Sequence, residues 1–99
     1  MLLAIDIGNT HTVLGCFRGD ELLAQWRIAT DRGRNEDEYG VLMIELLRNG
    51  HLDPRDVRGV AIACVVPPAL EIFTAASRAY FSCDPFVVSA PNKPGIRIL

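Results

Sequence analysis

The sequence predicts an α/β domain in which helices lie on the faces of a mixed β-sheet, and three observations lead to that class. Short runs rich in apolar and β-branched residues occupy most of residues 2–29. One amphipathic helix follows over residues 35–50, and an almost uninterrupted apolar run comes next, over residues 57–66. A second helix and a last strand complete the order βββαβαβ, which fits a mixed sheet with helix crossovers rather than a bundle or a sandwich.

The first three strands are expected to form a meander. Leu2 to Ile7 is a short apolar run ending in Gly8-Asn9-Thr10, the pattern of a buried strand that enters a turn. His11 to Arg18 is the second strand, and Gly19-Asp20 supplies a tight turn into the third, Glu21 to Ala29. Three sequential strands therefore precede the first helix.

The first helix has the clearest boundaries in the sequence. Asn35 is its N-cap and Glu38 stands in the capping-box position, while Gly50 follows Arg48 and Asn49 as a stop signal. The acidic run from Glu36 to Glu38 complements the helix dipole, and we prefer that interpretation to a metal cluster. One apolar face is expected to be buried: Tyr39, Leu42, Met43, Leu46 and Leu47.

The remaining elements follow from one apolar run and a proline pair. Val57 to Val66 predicts a strand that is covered on both faces and parallel to the first. Pro67-Pro68 ends it and begins a second helix, Ala69 to Phe81. The buried face of that helix is expected to hold Ile72, Phe73, Ala76 and Tyr80.

The end of the chain is expected to leave the sheet. Pro85 to Ser89 predicts a fifth strand, and the prolines and glycine of Ala90 to Gly95 exclude regular structure there. Ile96 to Leu99 then begins an unfinished element. We expect these 99 residues to be one small, truncated domain.

Net charge and the lengths of the apolar runs argue against two classes of function. A formal net charge of −2 argues against a general nucleic-acid surface, which needs a basic stripe. The longest apolar run, Val60 to Leu70, contains two prolines and cannot span a bilayer, and Met1 to Ile5 is too short for a signal peptide. We therefore expect a soluble protein that binds neither nucleic acid nor membrane.

Cysteine spacing indicates the compartment. Cys16, Cys64 and Cys83 lie far apart and form no Cys-x-x-Cys or Cys/His pattern, so neither a disulfide framework nor a zinc site is predicted. Each lies in or near an apolar run, where a thiol packs as a small hydrophobic group. A reducing cytoplasm is the simplest location.

A group of polar residues at the end of the first strand carries the predicted chemistry. Gly8 lets the backbone turn tightly near an anion, and Asn9 and Thr10 add side-chain donors to the backbone N–H groups that bind phosphate oxygens. His11 and Thr12 extend that donor set. Asp6 supplies a carboxylate for Mg²⁺, directly or through water.

Two interpretations of this stretch stay open on its residues alone. It is either a phosphate-binding loop or a plain hairpin turn in which Asp6 caps the turn through backbone hydrogen bonds. The charge of Asp6 inside an apolar strand favours function, because an unpaired charge there is costly. Neither the P-loop pattern nor Gly-x-Gly-x-x-Gly occurs in the chain. His51 is expected to be exposed and without a role.

The motifs resemble a known family. Ala4 to Thr10 is similar to the first phosphate motif of the actin, sugar kinase and Hsp70 superfamily. Arg27-Ile28-Ala29-Thr30, Asp37-Glu38-Tyr39 and Val65-Val66-Pro67 follow in the order and spacing of type III pantothenate kinases, and the resemblance covers the whole chain. One departure is Ala63-Cys64, where the family usually carries two serines.

The resemblance implies a ribonuclease H-like (actin-like ATPase) fold and a nucleotide-binding N-terminal domain over residues 1–99, with the second half expected after residue 99. It implies ATP-dependent phosphorylation of pantothenate to 4′-phosphopantothenate, the first step of coenzyme A biosynthesis. The ATP-phosphate residues would be Asp6, Ile7, Gly8, Asn9, Thr10, His11, Thr12 and Val13, with Asp6 also the Mg²⁺ ligand.

The resemblance also implies parts that these residues do not supply. The family's general base lies in a Gly-Ala-Asp-Arg stretch that does not occur here and is expected beyond Leu99, so no catalytic base is assigned and the 99 residues alone are expected to be inactive. Relatives are homodimers that need K⁺ or NH₄⁺. The alternatives are another small-molecule kinase of the superfamily, such as a sugar or acetate kinase, and a non-catalytic regulatory module.

Overall fold

Five strands and two helices follow one another over residues 1–88, the part of the chain that the computed structural model describes. The mixed α/β architecture predicted from the sequence is confirmed in this part. Ser89, the predicted non-regular stretch at 90–95 and the predicted unfinished element at 96–99 lie outside the described residues. The elements are β1 (Leu2–Ile7), β2 (His11–Arg18), β3 (Glu21–Ala29), α1 (Glu36–Asn49), a short 3₁₀ helix (Pro54–Asp56), β4 (Gly59–Cys64), α2 (Pro67–Phe81) and β5 (Phe86–Val88).

The strands form one sheet in the order β3-β2-β1-β4-β5. β1 is antiparallel to β2 and parallel to β4, and β3 and β5 extend the sheet antiparallel to β2 and parallel to β4 respectively. The predicted parallel pairing of β4 with β1 is therefore confirmed. β1 is the central strand, so the residues that follow its carboxyl end lie between two neighbouring strands, β2 and β4.

One face of the sheet carries the core. Alternate residues of β1 (Leu3, Ile5 and Ile7) are buried together with alternate residues of β2 and β4, as the two-residue period of a strand requires. Residues of both helices complete the same cluster, and the rings of Tyr39 and Phe73 lie 4.3 Å apart between α1 and α2. Both helices therefore pack on this face.

The opposite face of the sheet is open in the described part of the chain. Leu2 is 42% exposed and Phe86 is 71% exposed, and a depression of about 370 Å³ lies between these side chains. Ala61 and Ala63 of β4 are half-buried at most. The prediction that this strand is covered on both faces is therefore wrong for residues 1–88, because α1 and α2 share one side.

Local sequence signals determine where the two helices begin. Asn35 and Glu38 exchange the two hydrogen bonds of a capping box, at 2.9 and 3.0 Å, as predicted. α2 begins at Pro67 rather than Ala69, because prolines are tolerated in a first turn where the N–H groups have no intrahelical acceptor. Neither helix of the described residues is long and apolar enough to cross a bilayer.

Some packing details differ from the sequence-based expectation. β4 is shorter than predicted at both ends, because Val57 is the C-cap of a 3₁₀ helix over Pro54–Asp56 and Val66 is the N-cap of α2. Asp53 caps the 3₁₀ helix, with its carboxylate accepting from the Arg55 N–H at 2.9 Å. Ile72 and Tyr80 are only half-buried. The residues of α2 that are buried are Ala69, Phe73, Ala76, Ser77 and Phe81, and those of α1 are Tyr39, Gly40, Met43 and Leu47.

Gly40 of α1 leaves room for the Tyr80 ring of α2, and replacing it by alanine is expected to destabilise the fold by about 1–3 kcal/mol. A Cβ at Gly40 would overlap the ring of Tyr80, whose hydroxyl donates to Asp37 at 2.8 Å. Helix propensity acts in the opposite direction, since alanine is favoured over glycine by about 1 kcal/mol. Urea unfolding of Gly40→Ala measures the net effect.

The matched control removes the ring. In a Tyr80→Ala background the obstruction is absent, so Gly40→Ala should become stabilising by up to about 1 kcal/mol. A destabilisation of equal size in both backgrounds would contradict the steric explanation.

Candidate functional site

The candidate site lies where β1 ends. Gly8, Asn9 and Thr10 form the turn between β1 and β2, and Val65 donates its N–H to the Ile7 carbonyl at 3.2 Å where the neighbouring β4 ends. The carboxyl ends of two parallel strands thus meet at this edge of the sheet. In open α/β sheets this edge is where ligands commonly bind.

Asp6 points to the open face of the sheet. It is exposed and stands in register with Val13 of β2 and Ala63 of β4, whereas its neighbours Ile5 and Ile7 point into the core. Within residues 1–88 its carboxylate has no hydrogen-bond or ion-pair partner. The alternative in which Asp6 caps the turn therefore finds no support in the described contacts.

The turn leaves backbone donors open. Gly8 donates its N–H to the His11 carbonyl at 3.0 Å, which closes the turn. Asn9 and Thr10 are exposed, and among the described residues their N–H groups have no acceptor. Adjacent backbone N–H groups in a turn are a common binding arrangement for anions.

Gly8 is required by a close approach rather than by an unusual dihedral angle. A Cβ built on this residue would lie 2.8 Å from the carbonyl oxygen of His11, a backbone atom that cannot swing aside. The sequence-based expectation that the backbone turns tightly here agrees with this geometry.

Thr12 lies on the other side of the sheet from Asp6, and the structure corrects its expected position. Its side chain is fully buried on the core face, and its hydroxyl is 2.8 Å from the hydroxyl of Thr30. Thr30 in turn donates its hydroxyl to the Gly8 carbonyl at 2.8 Å. Thr12 therefore contacts the loop from beneath, through Thr30, instead of extending the exposed donor set.

The other residues predicted for the loop differ in how far they are buried. Ile7 is fully buried and Val13 is half-buried, so each offers the site its backbone rather than a polar side chain. His11 is exposed at the start of β2. His51, expected to be exposed, is exposed, and it lies in a left-handed conformation (φ 60°) just after α1.

The acidic run of α1 has structural partners. Glu38 completes the capping box, and Asp37 accepts a hydrogen bond from the Tyr80 hydroxyl, which raises the pKa of that tyrosine. Over residues 1–88 no three His, Cys, Asp or Glu side chains are grouped closely enough to hold a metal ion by themselves. The preference for a dipole and capping role agrees with these contacts.

The three thiols are unpaired. Burial raises the pKa of the Cys16 thiol, which lies in the core. Cys64, at the position of the second serine that the resemblance leads one to expect, is half-buried and contacts the residue two positions ahead: its thiol donates to the Val66 carbonyl at 3.0 Å and accepts from the Val66 N–H at 3.2 Å. It thereby shapes the connection from β4 to α2.

The pairing of the strands brings to the site two residues that the sequence analysis did not assign to it. Arg27 of β3 stands opposite Val13, which stands opposite Asp6, so an exposed guanidinium and the carboxylate share one row on the open face. Thr30, the last residue of the Arg27-Ile28-Ala29-Thr30 motif, contacts the loop directly. Strand register, which single-sequence patterns do not provide, was the missing signal.

Fold and site together define a class of protein. The structure is similar to that of a putative N-acetylglucosamine kinase from Porphyromonas gingivalis, with a TM-score of 0.62 at 20% sequence identity, over 89% of this chain and 33% of that one. The similarity shows that the chain has the α/β fold found in that kinase. The site adds an open carboxylate and open amides at a strand end.

The particular family follows from sequence comparison. A family model described as type III pantothenate kinase matches residues 2–99, and the chain belongs to that family. Type III pantothenate kinases from Roseiflexus castenholzii and Geobacter sulfurreducens are 46% and 44% identical to it, over 98% and 99% of this chain. A relative from Anaeromyxobacter sp. is 46% identical over the whole chain. The chain spans 38–39% of the length of these relatives.

Proposed function

We propose that this chain supplies the ATP-phosphate loop of an enzyme that phosphorylates pantothenate to 4′-phosphopantothenate, the first step of coenzyme A biosynthesis. The single observation that carries the proposal is the exposed, unpartnered carboxylate of Asp6 beside the open amides of Asn9 and Thr10. Membership of the type III pantothenate kinase family supports pantothenate as the acceptor.

We also propose a more specific fold for this domain. The sheet order β3-β2-β1-β4-β5, with antiparallel pairing on one side of β1 and parallel pairing on the other, supports a ribonuclease H-like, actin-like domain. Likeness to a sugar kinase supports the same assignment. In such a domain the carboxyl end of the central strand is where nucleotide phosphates would be held.

The residues present fit an ATP–Mg²⁺ pair. Oxygen ligands suit Mg²⁺, which commonly takes one or two carboxylates and keeps several waters, so the single open carboxylate of Asp6 would suffice. When bound, the ion neutralises charge on the phosphates. The loop would bind phosphate oxygens through the N–H groups of Asn9 and Thr10, with the exposed His11 and the guanidinium of Arg27 near the same edge.

The reaction proposed is a phosphoryl transfer. An oxygen–phosphorus bond forms between the primary hydroxyl of pantothenate and the γ-phosphorus, the bond from that phosphorus to the β–γ bridging oxygen breaks, and ADP leaves with the electron pair. The hydroxyl proton passes to a base that no residue of this chain is assigned to provide. The chain's contribution is to bind and orient the phosphates and to place a carboxylate beside them.

The test is ATP-dependent phosphorylation of pantothenate by a polypeptide of full family length that carries these 99 residues, called the full-length protein below. Product is measured directly as 4′-phosphopantothenate, with N-acetylglucosamine and acetate as competing acceptors. Turnover of pantothenate alone is the expected result. Turnover of a different acceptor would move the function elsewhere among small-molecule kinases, and ATP binding without any transfer would favour a regulatory module.

Two further family properties are proposed for the full-length protein. We infer a requirement for K⁺ or NH₄⁺ and a homodimeric state, neither of which is assigned to residues of this chain. Activity is expected to depend on the K⁺ concentration when Na⁺ holds the ionic strength constant. Equal rates in K⁺ and Na⁺ would overturn the cation requirement without affecting the loop assignment.

A further inference from the structure

Thr30 contacts the predicted phosphate loop twice from outside it. Its hydroxyl donates to the Gly8 carbonyl at 2.8 Å, and its N–H donates to the Thr10 carbonyl at 2.8 Å. The residue lies 22 positions from Gly8 in sequence, just after β3, and is half-buried beneath the turn. One residue thus binds two of the three turn carbonyls, that of Gly8 through its side chain and that of Thr10 through its backbone.

The hydroxyl pair has one consistent direction. A threonine hydroxyl has a single proton, and that of Thr30 is donated to Gly8, so the contact between Thr12 and Thr30 requires Thr12 as donor. The chain of bonds therefore runs from the buried Thr12 through Thr30 to the loop. Successive hydrogen bonds of this kind polarise and strengthen one another.

The direction of the Gly8 carbonyl fixes the direction of the next N–H. The Gly8 carbonyl and the Asn9 N–H belong to one planar trans peptide, in which the two groups point in opposite directions. Because Thr30 holds the carbonyl inward, the Asn9 N–H points outward, where it has no acceptor among residues 1–88. In an ordinary two-residue hairpin turn the Gly8 carbonyl would instead accept from the His11 N–H.

Thr30 is itself held firmly by the core. The adjacent Asp31 donates its N–H to the Tyr39 hydroxyl at 2.8 Å, and that hydroxyl donates back to the Asp31 carbonyl at 2.9 Å. Tyr39 is fully buried against Phe73. The loop is thereby tied through Thr30 to the packing of α1 and α2.

We propose that Thr30 is a positioning residue for the nucleotide, which orients the Gly8–Asn9 peptide so that the Asn9 N–H faces the ATP phosphates. This inference rests on the proposed function of the loop. It concerns phosphate binding and not the acceptor, so ATP affinity should change while pantothenate affinity does not.

The experiment compares Thr30→Val with Thr30→Ser in the full-length protein. Valine keeps the shape and loses the hydroxyl, and we expect the KM for ATP to rise about tenfold with the KM for pantothenate within twofold of the starting value. Serine keeps the hydroxyl and should restore the KM for ATP to within about threefold. Thr74→Val, at a half-buried threonine of α2, is the matched control and should leave both constants unchanged.

Thermal unfolding and calorimetric titration with ATP separate the outcomes. A KM for ATP that is equal in the valine and serine variants would overturn the positioning role, as would a valine variant whose KM values for ATP and pantothenate rise together. If pantothenate is not phosphorylated at all, the proposed function fails, and the ATP dissociation constants of the two variants still decide the role of Thr30. Absence of ATP binding by the unsubstituted protein would overturn both.

Discussion

Replacing Asp6 by asparagine is expected to lower the kcat for ATP-dependent phosphorylation of pantothenate by about 100-fold or more, which corresponds to roughly 3 kcal/mol of transition-state stabilisation. Asparagine keeps the size of the side chain and removes the negative charge that Mg²⁺ prefers. Charge neutralisation by the metal is a large part of catalysis in phosphoryl transfer. Steady-state kinetics of the full-length protein over a Mg²⁺ titration would measure the effect.

Stability should not follow activity in this variant. The carboxylate of Asp6 is exposed and has no partner among residues 1–88, so its loss removes no stabilising contact there. We expect the free energy of unfolding to change by less than about 0.5 kcal/mol. Asp20→Asn is the matched control, because Asp20 is an exposed carboxylate in the turn at the opposite end of β2 and should leave kcat unchanged. Normal turnover by Asp6→Asn would remove the metal assignment.

The elements that the sequence predicted well are those defined by local signals. The bounds of β1, β2 and β3 match the prediction, because apolar runs are separated by turn residues at each end. The capping box of α1 was predictable since both partners lie three residues apart. The 3₁₀ helix at Pro54–Asp56 was missed, although Asp53-Pro54 is a helix-start signal, because three residues show no periodicity.

Burial was harder to predict than secondary structure. An apolar run such as that of β4 is compatible with a strand that is buried on both faces. The run does not show which elements cover each face. In the described part of the chain α1 and α2 are on one face, so Leu2 and Phe86 stay exposed on the other. The side on which a helix packs is a property of the whole topology.

The sequence predicted the candidate site as a continuous run of residues, and the structure shows which of these residues are exposed. Asp6, Asn9 and Thr10 are exposed where the loop interpretation needs them, whereas Thr12 shares the buried side of β2 with Leu14 and Cys16. The two-residue period of the strand already contained that information. Thr30 could not have been found in this way, because its contact with Gly8 depends on how β2 pairs with β3.

Replacing Gly8 by alanine should raise the KM for ATP by about tenfold or more, equivalent to at least about 1.4 kcal/mol of binding free energy. A Cβ at this position would lie 2.8 Å from the His11 carbonyl oxygen, so the turn must open and the Gly8 N–H bond to that oxygen must lengthen. Opening the turn also displaces the Gly8 carbonyl from Thr30, and with it the direction of the Asn9 N–H.

The two interpretations of the loop predict different results for this variant. If the stretch were only a hairpin turn, Gly8→Ala would lower stability and leave ATP binding as it was, because no ligand would depend on the turn. If it is the phosphate loop, the affinity for ATP falls even in conditions where the protein remains folded. Calorimetric titration with Mg-ATP, alongside urea unfolding, separates the cases. Gly59→Ala is the matched control, since a Cβ there meets only the Leu2 side chain at an ordinary 3.4 Å, at the other end of the sheet.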